Sequence, residues 1–171
     1  DNKGNYLYGE KEIVYLQSIE SKTQVAVFIY NNRIDAFEVL DHNGGQGEHS
    51  LLQLEEVRLY SKKELLENSN PIPLKTIHFN YNNTLVRQHP SNKSFGTYPV
   101  VGNPDNSGKL TLSEIYFTYN DNPKSKAEKY EFDYYNNWVK YDKRAKDRWG
   151  VYKPNNHNPA DLDNTSFPYV L

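Results

Sequence analysis

The sequence predicts a mainly β protein: an antiparallel sheet of three loosely repeated hairpin units, with one or two short helices and long loops. Composition is the first observation behind this prediction. The 171 residues include 15 Tyr and 7 Phe, and aromatic residues make up 14% of the chain, whereas disordered chains are poor in aromatics. The second observation is a recurring strand-like stretch that ends in the motif aromatic-x-Tyr-Asn-Asn. Since Tyr buries its ring and keeps its hydroxyl at the water edge, such strands suit a thin sheet with one wet face.

The aromatic stretches mark the second strand of each predicted hairpin. These strands are Val25–Asn32, Thr76–Asn83 and Tyr130–Asn137, and the third has one extra Tyr before its asparagines. Their Val, Ile, Phe and Tyr residues fit a pleated surface. Because Asn tolerates positive φ and can hydrogen-bond its own backbone, the paired asparagines predict a turn after each strand.

A strand-like stretch precedes each of these segments and supplies the first strand of the hairpin. The three stretches are Glu12–Ile19, Leu52–Tyr60 and Leu110–Tyr119. Apolar and polar residues alternate clearly in the last two, which is the period of a strand with one buried face. The chain therefore predicts three units of strand, connector, strand and turn.

The connectors differ between the units. Ser61–Glu64 matches a capping box and two leucines follow it, so a helix is predicted here that ends before Pro71 after about two turns. A second short helix is predicted within residues 32–40. Two stretches rich in Gly or Pro, 41–50 and 85–108, predict loops.

The predicted organisation is a linker over residues 1–11, a β-rich domain over 12–155 and an extended tail over 156–171. The chain has no Met and no Cys, so we expect either that a signal segment was removed or that the chain is part of something longer. Zero Cys excludes a disulfide scaffold, thiol chemistry and Cys-based zinc sites. A net charge of −2 with mixed signs, and no apolar run of membrane-spanning length, predict neither nucleic-acid binding nor membrane insertion.

One segment has the spacing of a calcium loop. Oxygen-bearing side chains fall at positions 1, 3 and 5 of the loop, which are Asn103, Asp105 and Ser107. A Gly follows at position 6, the backbone position 7 is Lys109, and Glu114 stands at position 12. The alternative is a polar turn that feeds a strand, because the residues after the loop alternate as a strand does. Calcium is the single cofactor that the sequence suggests.

A cluster of aromatic residues near the C-terminal end is the candidate binding site. Trp138, Tyr141, Trp149 and Tyr152 lie close together in the sequence, and Arg148 precedes one of the tryptophans. One interpretation is a structural corner in which Arg148 stacks over Trp149 as a cation–π pair. The other is a stacking platform for a glycan or a protein surface, since surface Tyr and Trp often mark binding patches.

No motif in the sequence predicts catalysis. It contains no phosphate-cradling Gly loop, no Gly-x-Ser-x-Gly elbow and no His-Glu-x-x-His. His78 lies in the middle of a predicted strand, where a hydrogen-bonded structural histidine is the simplest interpretation. We therefore expect that the chain is not an enzyme.

Three segments resemble a family of very large bacterial proteins. Gly108–Ile115, Tyr130–Tyr135 and Asp147–Gly150 look like segments of cell-surface or secreted proteins of Bacteroidota, similar in style to Rhs and Tc-toxin shell proteins, in which many β-hairpins wind into a hollow shell. The resemblance covers roughly residues 12–155.

This resemblance implies a non-catalytic structural β-module of an extracellular or cell-surface protein. Its partners would be neighbouring segments of the parent protein or a secretion or surface partner. The alternative function is a binding module for a glycan or a protein that uses the aromatics between Trp138 and Tyr152. Burial of those aromatics would exclude this alternative.

Overall fold

The computed structural model describes residues 9–40, 46–86, 108–122, 129–135, 140–142 and 145–154. They form a six-stranded antiparallel sheet in which the strands lie side by side in chain order. The elements are β1 (Ser18–Glu20), β2 (Gln24–Val39), β3 (Gln46–Ser61), α1 (Lys62–Glu67), β4 (Lys75–Leu85), β5 (Lys109–Tyr119) and β6 (Lys129–Glu131). The predicted fold class, a mainly β chain of antiparallel hairpins, is confirmed.

The three hairpins, β1–β2, β3–β4 and β5–β6, pair in the same register. The equivalent pairs of directly opposite residues in the three hairpins are Ser18 and Val27, Glu56 and His78, and Glu114 and Glu131. The backbone amide of Phe28 donates to the carbonyl of Gln17 at 2.9 Å, and the amide of Phe132 donates to the carbonyl of Ser113 at 3.0 Å. These two bonds occupy the same place in the first and third hairpins. The loose sequence repeat is therefore also a structural repeat.

A β-bulge lies at the same place in both joins between hairpins. Where β2 meets β3, Tyr30 pairs with Leu54 and Glu55 is the extra residue. Where β4 meets β5, Tyr81 pairs with Leu112 and Ser113 is the extra residue. Bulges of this kind are local features with a fixed position in the ladder, so their recurrence shows that the two joins are built alike.

The bulge corresponds to a spacing in the sequence, apolar-x-Leu-x-x-Val/Ile, which we call the repeat pattern. It occurs in Val14–Ile19, Leu52–Val57 and Leu110–Ile115. Uninterrupted alternation would turn the final Val or Ile of the pattern away from the Leu. The extra residue in the bulge brings both back to one face of the sheet.

The sheet has one apolar face and one polar face, because directly paired residues share a face. The apolar face carries Ala26, Phe28, Leu54, Val57, Leu59, Ile77, Phe79, Leu112, Ile115 and Phe117. The polar face carries Glu56, Arg58, Thr76, His78, Asn80, Glu114, Tyr116 and Thr118, and β2 adds the apolar residues Val25, Val27 and Ile29 to it. The side chains of the apolar face are all half-buried.

Helix α1 stands at the best-buried end of the polar face. Val25 and Tyr60, which pair across β2 and β3, are both buried there. The hydroxyl of Ser61 accepts a hydrogen bond from the backbone amide of Glu64, which is the N-cap that the sequence predicts. The predicted helix is confirmed.

Three local predictions were wrong. The paired asparagines at 31–32 and 82–83 are not followed by turns, because β2 and β4 continue through them to Val39 and Leu85. No helix occurs within 32–40, where β2 continues to Val39. The side chains of Arg33 and Asp35, two residues apart along the strand, form an ion pair of 2.7 Å, and the backbone pairs with the start of β3. The predicted loop over 41–50 is too long, because Gln46–Ser50 already belong to β3. The long join between β2 and β3 supplies pairing partners that local Gly content does not reveal.

The outermost strands are shorter than the sequence predicts. Strand β1 covers Ser18–Glu20 and overlaps only the end of the predicted Glu12–Ile19, and β6 covers Lys129–Glu131 and overlaps only the start of the predicted Tyr130–Asn137. Residues 136–137 lie outside the described part of the chain. Most of the predicted loop over 85–108 also lies outside it.

Candidate functional site

The C-terminal candidate site is organised by a tight turn between Ala145 and Lys153. Lys146 and Tyr152 form an isolated antiparallel bridge. The carboxylate oxygen Oδ1 of Asp147 accepts hydrogen bonds from the backbone amides two and four residues later, both at 2.9 Å. Gly150 has a φ of 83°, a left-handed conformation that glycine adopts without strain. Asp147 and Gly150 therefore fix the turn that presents the residues between them.

Arg148 and Trp149 form the tip of this turn. The guanidinium carbon of Arg148 lies 4.5 Å from the centroid of the Trp149 ring, so the predicted cation–π stack is present. Trp149 is nevertheless 75% exposed and Tyr152 is 56% exposed. The stack therefore organises an aromatic surface that solvent can reach.

A groove of about 620 Å³ lies between this segment and the end of the sheet where the last residues of β4 meet the start of β5. Leu85, Val86 and Lys109 line it from the sheet. Tyr135, Lys140, Tyr141, Asp142, Ala145, Lys146, Gly150 and Tyr152 line it from the C-terminal side. The three tyrosine rings of the groove can stack against a sugar or aromatic ring. Its three lysines, which outnumber the one aspartate, can attract an anionic substituent.

The structure brings together part of the predicted binding set. Tyr141 and Tyr152 both line the groove, and Arg148 and Trp149 lie on the adjoining turn. Trp138 lies outside the described residues. The sheet wall of the groove was not predicted, because its residues are far from the aromatic cluster in sequence.

The two predicted calcium ligands that the structure describes do not lie close together. Lys109 and Glu114 both lie in the extended strand β5, which separates them by about 17 Å along the strand. The side chain of Glu114 accepts a hydrogen bond of 3.0 Å from Asn80. Asn103, Asp105 and Ser107 lie outside the described residues. The part of the chain that the structure describes contains no group of three or more His, Asp or Glu side chains arranged to hold a metal, and calcium binding stays a prediction.

A polar network on the sheet was not anticipated from the sequence. The Nδ1 atom of His78 lies 3.0 Å from Glu56 Oε1, and its Nε2 atom lies 2.8 Å from Thr118 Oγ1. The His78 ring stacks on Tyr116 with centroids 4.4 Å apart. The second carboxylate oxygen of Glu56 lies 2.6 Å from Arg58 Nε, and this hydrogen bond raises the pKa of Arg58 despite partial burial.

This network ties three strands together. Both ring nitrogens of His78 are engaged, one by Glu56 and the other by Thr118. The sequence signal that could have found it is the register, because Glu56, His78 and Tyr116 become neighbours once the hairpins are aligned.

The chain was compared with known proteins, and no family model, no curated protein and no solved structure matches it. None of the helices in the described ranges combines the length and the apolar character needed to cross a membrane.

Proposed function

We propose that the chain is a non-catalytic structural β-module of a large exported or cell-surface bacterial protein, built in the style of Rhs-like hairpin shells. One observation carries the proposal: three hairpins in the same register, joined by bulges at the same place. Such repetition is typical of arrays in which each unit is stabilised by contacts with its neighbours. Half-buried side chains over the whole apolar face fit the same role.

An antibody raised against the 171-residue chain tests this proposal in the producing cells. The immunoblot should show a band several times heavier than the 20.0 kDa of the chain, and the antibody should label intact cells. An antibody against a cytosolic protein, which must not label the same cells, serves as the control. A 20-kDa band confined to the cytosolic fraction would refute the proposal.

A second candidate function is a surface that binds a glycan or a protein through the groove and the adjoining turn. The observation that favours it is the exposure of Trp149 and Tyr152 beside a groove of suitable size. Burial of the aromatics would exclude this function, and these two residues are exposed.

Affinity electrophoresis against a panel of neutral and acidic polysaccharides tests the second function. Trp149→Ala and Tyr152→Ala should each weaken binding by roughly ten-fold without lowering the unfolding midpoint. Tyr130→Ala, which removes an aromatic of intermediate exposure (61%) outside the groove, is the matched control. Retardation that is the same for all three variants would contradict a site at the groove.

A further inference from the structure

The outer side of β6 is equivalent to the sides of β2 and β4 that receive the next hairpin. In each join, the second strand of one hairpin pairs with the first strand of the following one, β2 with β3 and β4 with β5. Strand β6 is the second strand of the third hairpin. Among the described residues no strand pairs with its outer side. We call this side, from Lys129 to Tyr134, the receiving edge.

Side chains at the receiving edge are more exposed than their equivalents inside the sheet. Phe132 stands at the step occupied by Phe28 and Phe79 in the first two hairpins. Phe132 is 40% exposed, whereas the other two are half-buried. The incoming strands β3 and β5 supply the missing cover in the interior. Phe132 is therefore the equivalent apolar residue in the third hairpin, and it lacks the neighbouring strand that covers Phe28 and Phe79.

The polar face of the receiving edge specifies what can pair with it. In the two existing joins, Glu56 lies opposite Ile29 and Glu114 lies opposite Asn80. Asn80 donates a hydrogen bond to Glu114 at 3.0 Å. The equivalent residue at the receiving edge is Asp133, which would repel a glutamate at this position because like charges directly opposite each other destabilise a sheet.

A second acidic residue lies two steps before Asp133 on the same face. Glu131 is equivalent to Val27, and Val27 pairs with Arg58 in the first join. An incoming strand with a basic residue at the Arg58 position would therefore face Glu131, whose carboxylate also pairs with Lys129 of the same strand. A basic residue at the Glu56 position would face Asp133.

We infer that the receiving edge binds, by antiparallel strand addition, a β-strand with the repeat pattern and with basic residues opposite Asp133 and Glu131. This inference rests on the proposed structural role and names the partner of its open edge. Main-chain hydrogen bonds supply affinity in such an addition, while the pattern and the charges supply register and specificity.

Two fluorescent peptides test the inference with the full 171-residue chain. The first spans Leu51–Ser61 with Glu56→Lys, and the second spans the same residues unchanged. Fluorescence anisotropy should show that the lysine peptide binds roughly five-fold more tightly, with a preference that weakens at high salt. Hydrogen exchange should show new protection along Lys129–Tyr134.

The charge-swapped protein is the decisive control. Asp133 is exposed, so Asp133→Lys should leave the fold intact, and it should reverse the preference in favour of the unchanged peptide. Equal binding of both peptides to both proteins overturns the inference, as does protection at any other edge. Self-association of the chain that excludes the lysine peptide also overturns it, in favour of a second copy at this edge.

The two proposals fail separately. A heavy, surface-exposed parent protein together with no peptide preference removes the receiving edge alone. A 20-kDa cytosolic protein removes the proposed function even if the peptide binds.

Discussion

Two buried threonines that face each other across β4 and β5 should respond in opposite ways to the same substitution. Thr76 pairs with Thr118, and they are 2% and 8% exposed. The hydroxyl of Thr118 lies 2.8 Å from the Nε2 atom of His78. The hydroxyl of Thr76 is buried and has no hydrogen-bond partner among the described residues.

The expected energies follow from these contacts. Burying a hydroxyl without a partner costs about 1–3 kcal/mol, and Val has the shape of Thr and fits a strand as well. Thr76→Val should therefore raise the free energy of unfolding by about 1–2 kcal/mol. Thr118→Val removes a hydrogen bond and leaves a half-buried ring nitrogen of His78 unsatisfied, so it should lower that free energy by about 1 kcal/mol.

Urea unfolding of the wild type and both variants measures the two effects. The midpoints should move in opposite directions while the m-value stays constant. In a thermal scan each kcal/mol corresponds to about 2–4 °C for a chain of this size. A Thr76→Val variant that is no more stable than the wild type would show that the hydroxyl is satisfied in solution and would refute the reasoning.

Three further predictions concern a cap, a close backbone approach and a titrating side chain. Ser61→Ala should destabilise the protein by about 1 kcal/mol because it removes the N-cap of α1, and Ser61→Asp should restore the loss in the same urea assay. Gly108→Ala should cost about 1–3 kcal/mol, since a Cβ there would overlap backbone oxygens of the β4 end, whereas Gly9→Ala, with open space around it, should be neutral. Burial raises the pKa of Tyr81 above its ordinary value of 10.0, so the stability it contributes is present below that pH and is lost as pH rises through the folded-state pKa. Tyr81→Phe should therefore lose less stability between about pH 9 and about pH 11, measured as the urea midpoint, and an equal loss in both proteins would contradict this.

The hairpins were predictable because their signals are local. Aromatic and β-branched residues mark the strands, whereas the paired asparagines do not mark their ends, because β2 and β4 run through them to Val39 and Leu85. The cap of α1 was predictable for the same reason, since Ser61 and Glu64 are three residues apart. Each of these signals operates within one element and does not depend on what the element packs against.

The errors arose where pairing overrides local preference. Residues 32–40 extend β2 because β3 runs beside them, and nothing within those residues reports that neighbour. The bulges correspond to the two residues that separate the Leu from the Val or Ile in the repeat pattern. Their meaning becomes clear only when the two joins are aligned.

The candidate site was half predictable for a related reason. Tyr141 and Tyr152 are near each other in sequence, and the turn at Asp147 and Gly150 keeps them near each other in space. The opposite wall, which includes Leu85 and Lys109, comes from the far end of the join between β4 and β5. The position of this wall relative to Tyr141 and Tyr152 depends on how the C-terminal segment packs against the sheet, and the residue types alone do not specify that packing.

The two faces of the sheet divide the work of assembly between them. The apolar face repeats the same residue types in every hairpin, so by itself it would allow any first strand to join any second strand. The polar face differs at each join: Ile29 meets Glu56, Asn80 binds Glu114, and His78 links Glu56 to Thr118 across three strands. Since a wrong neighbour would lose these contacts, they favour one order of hairpins over others that the apolar face would accept equally well.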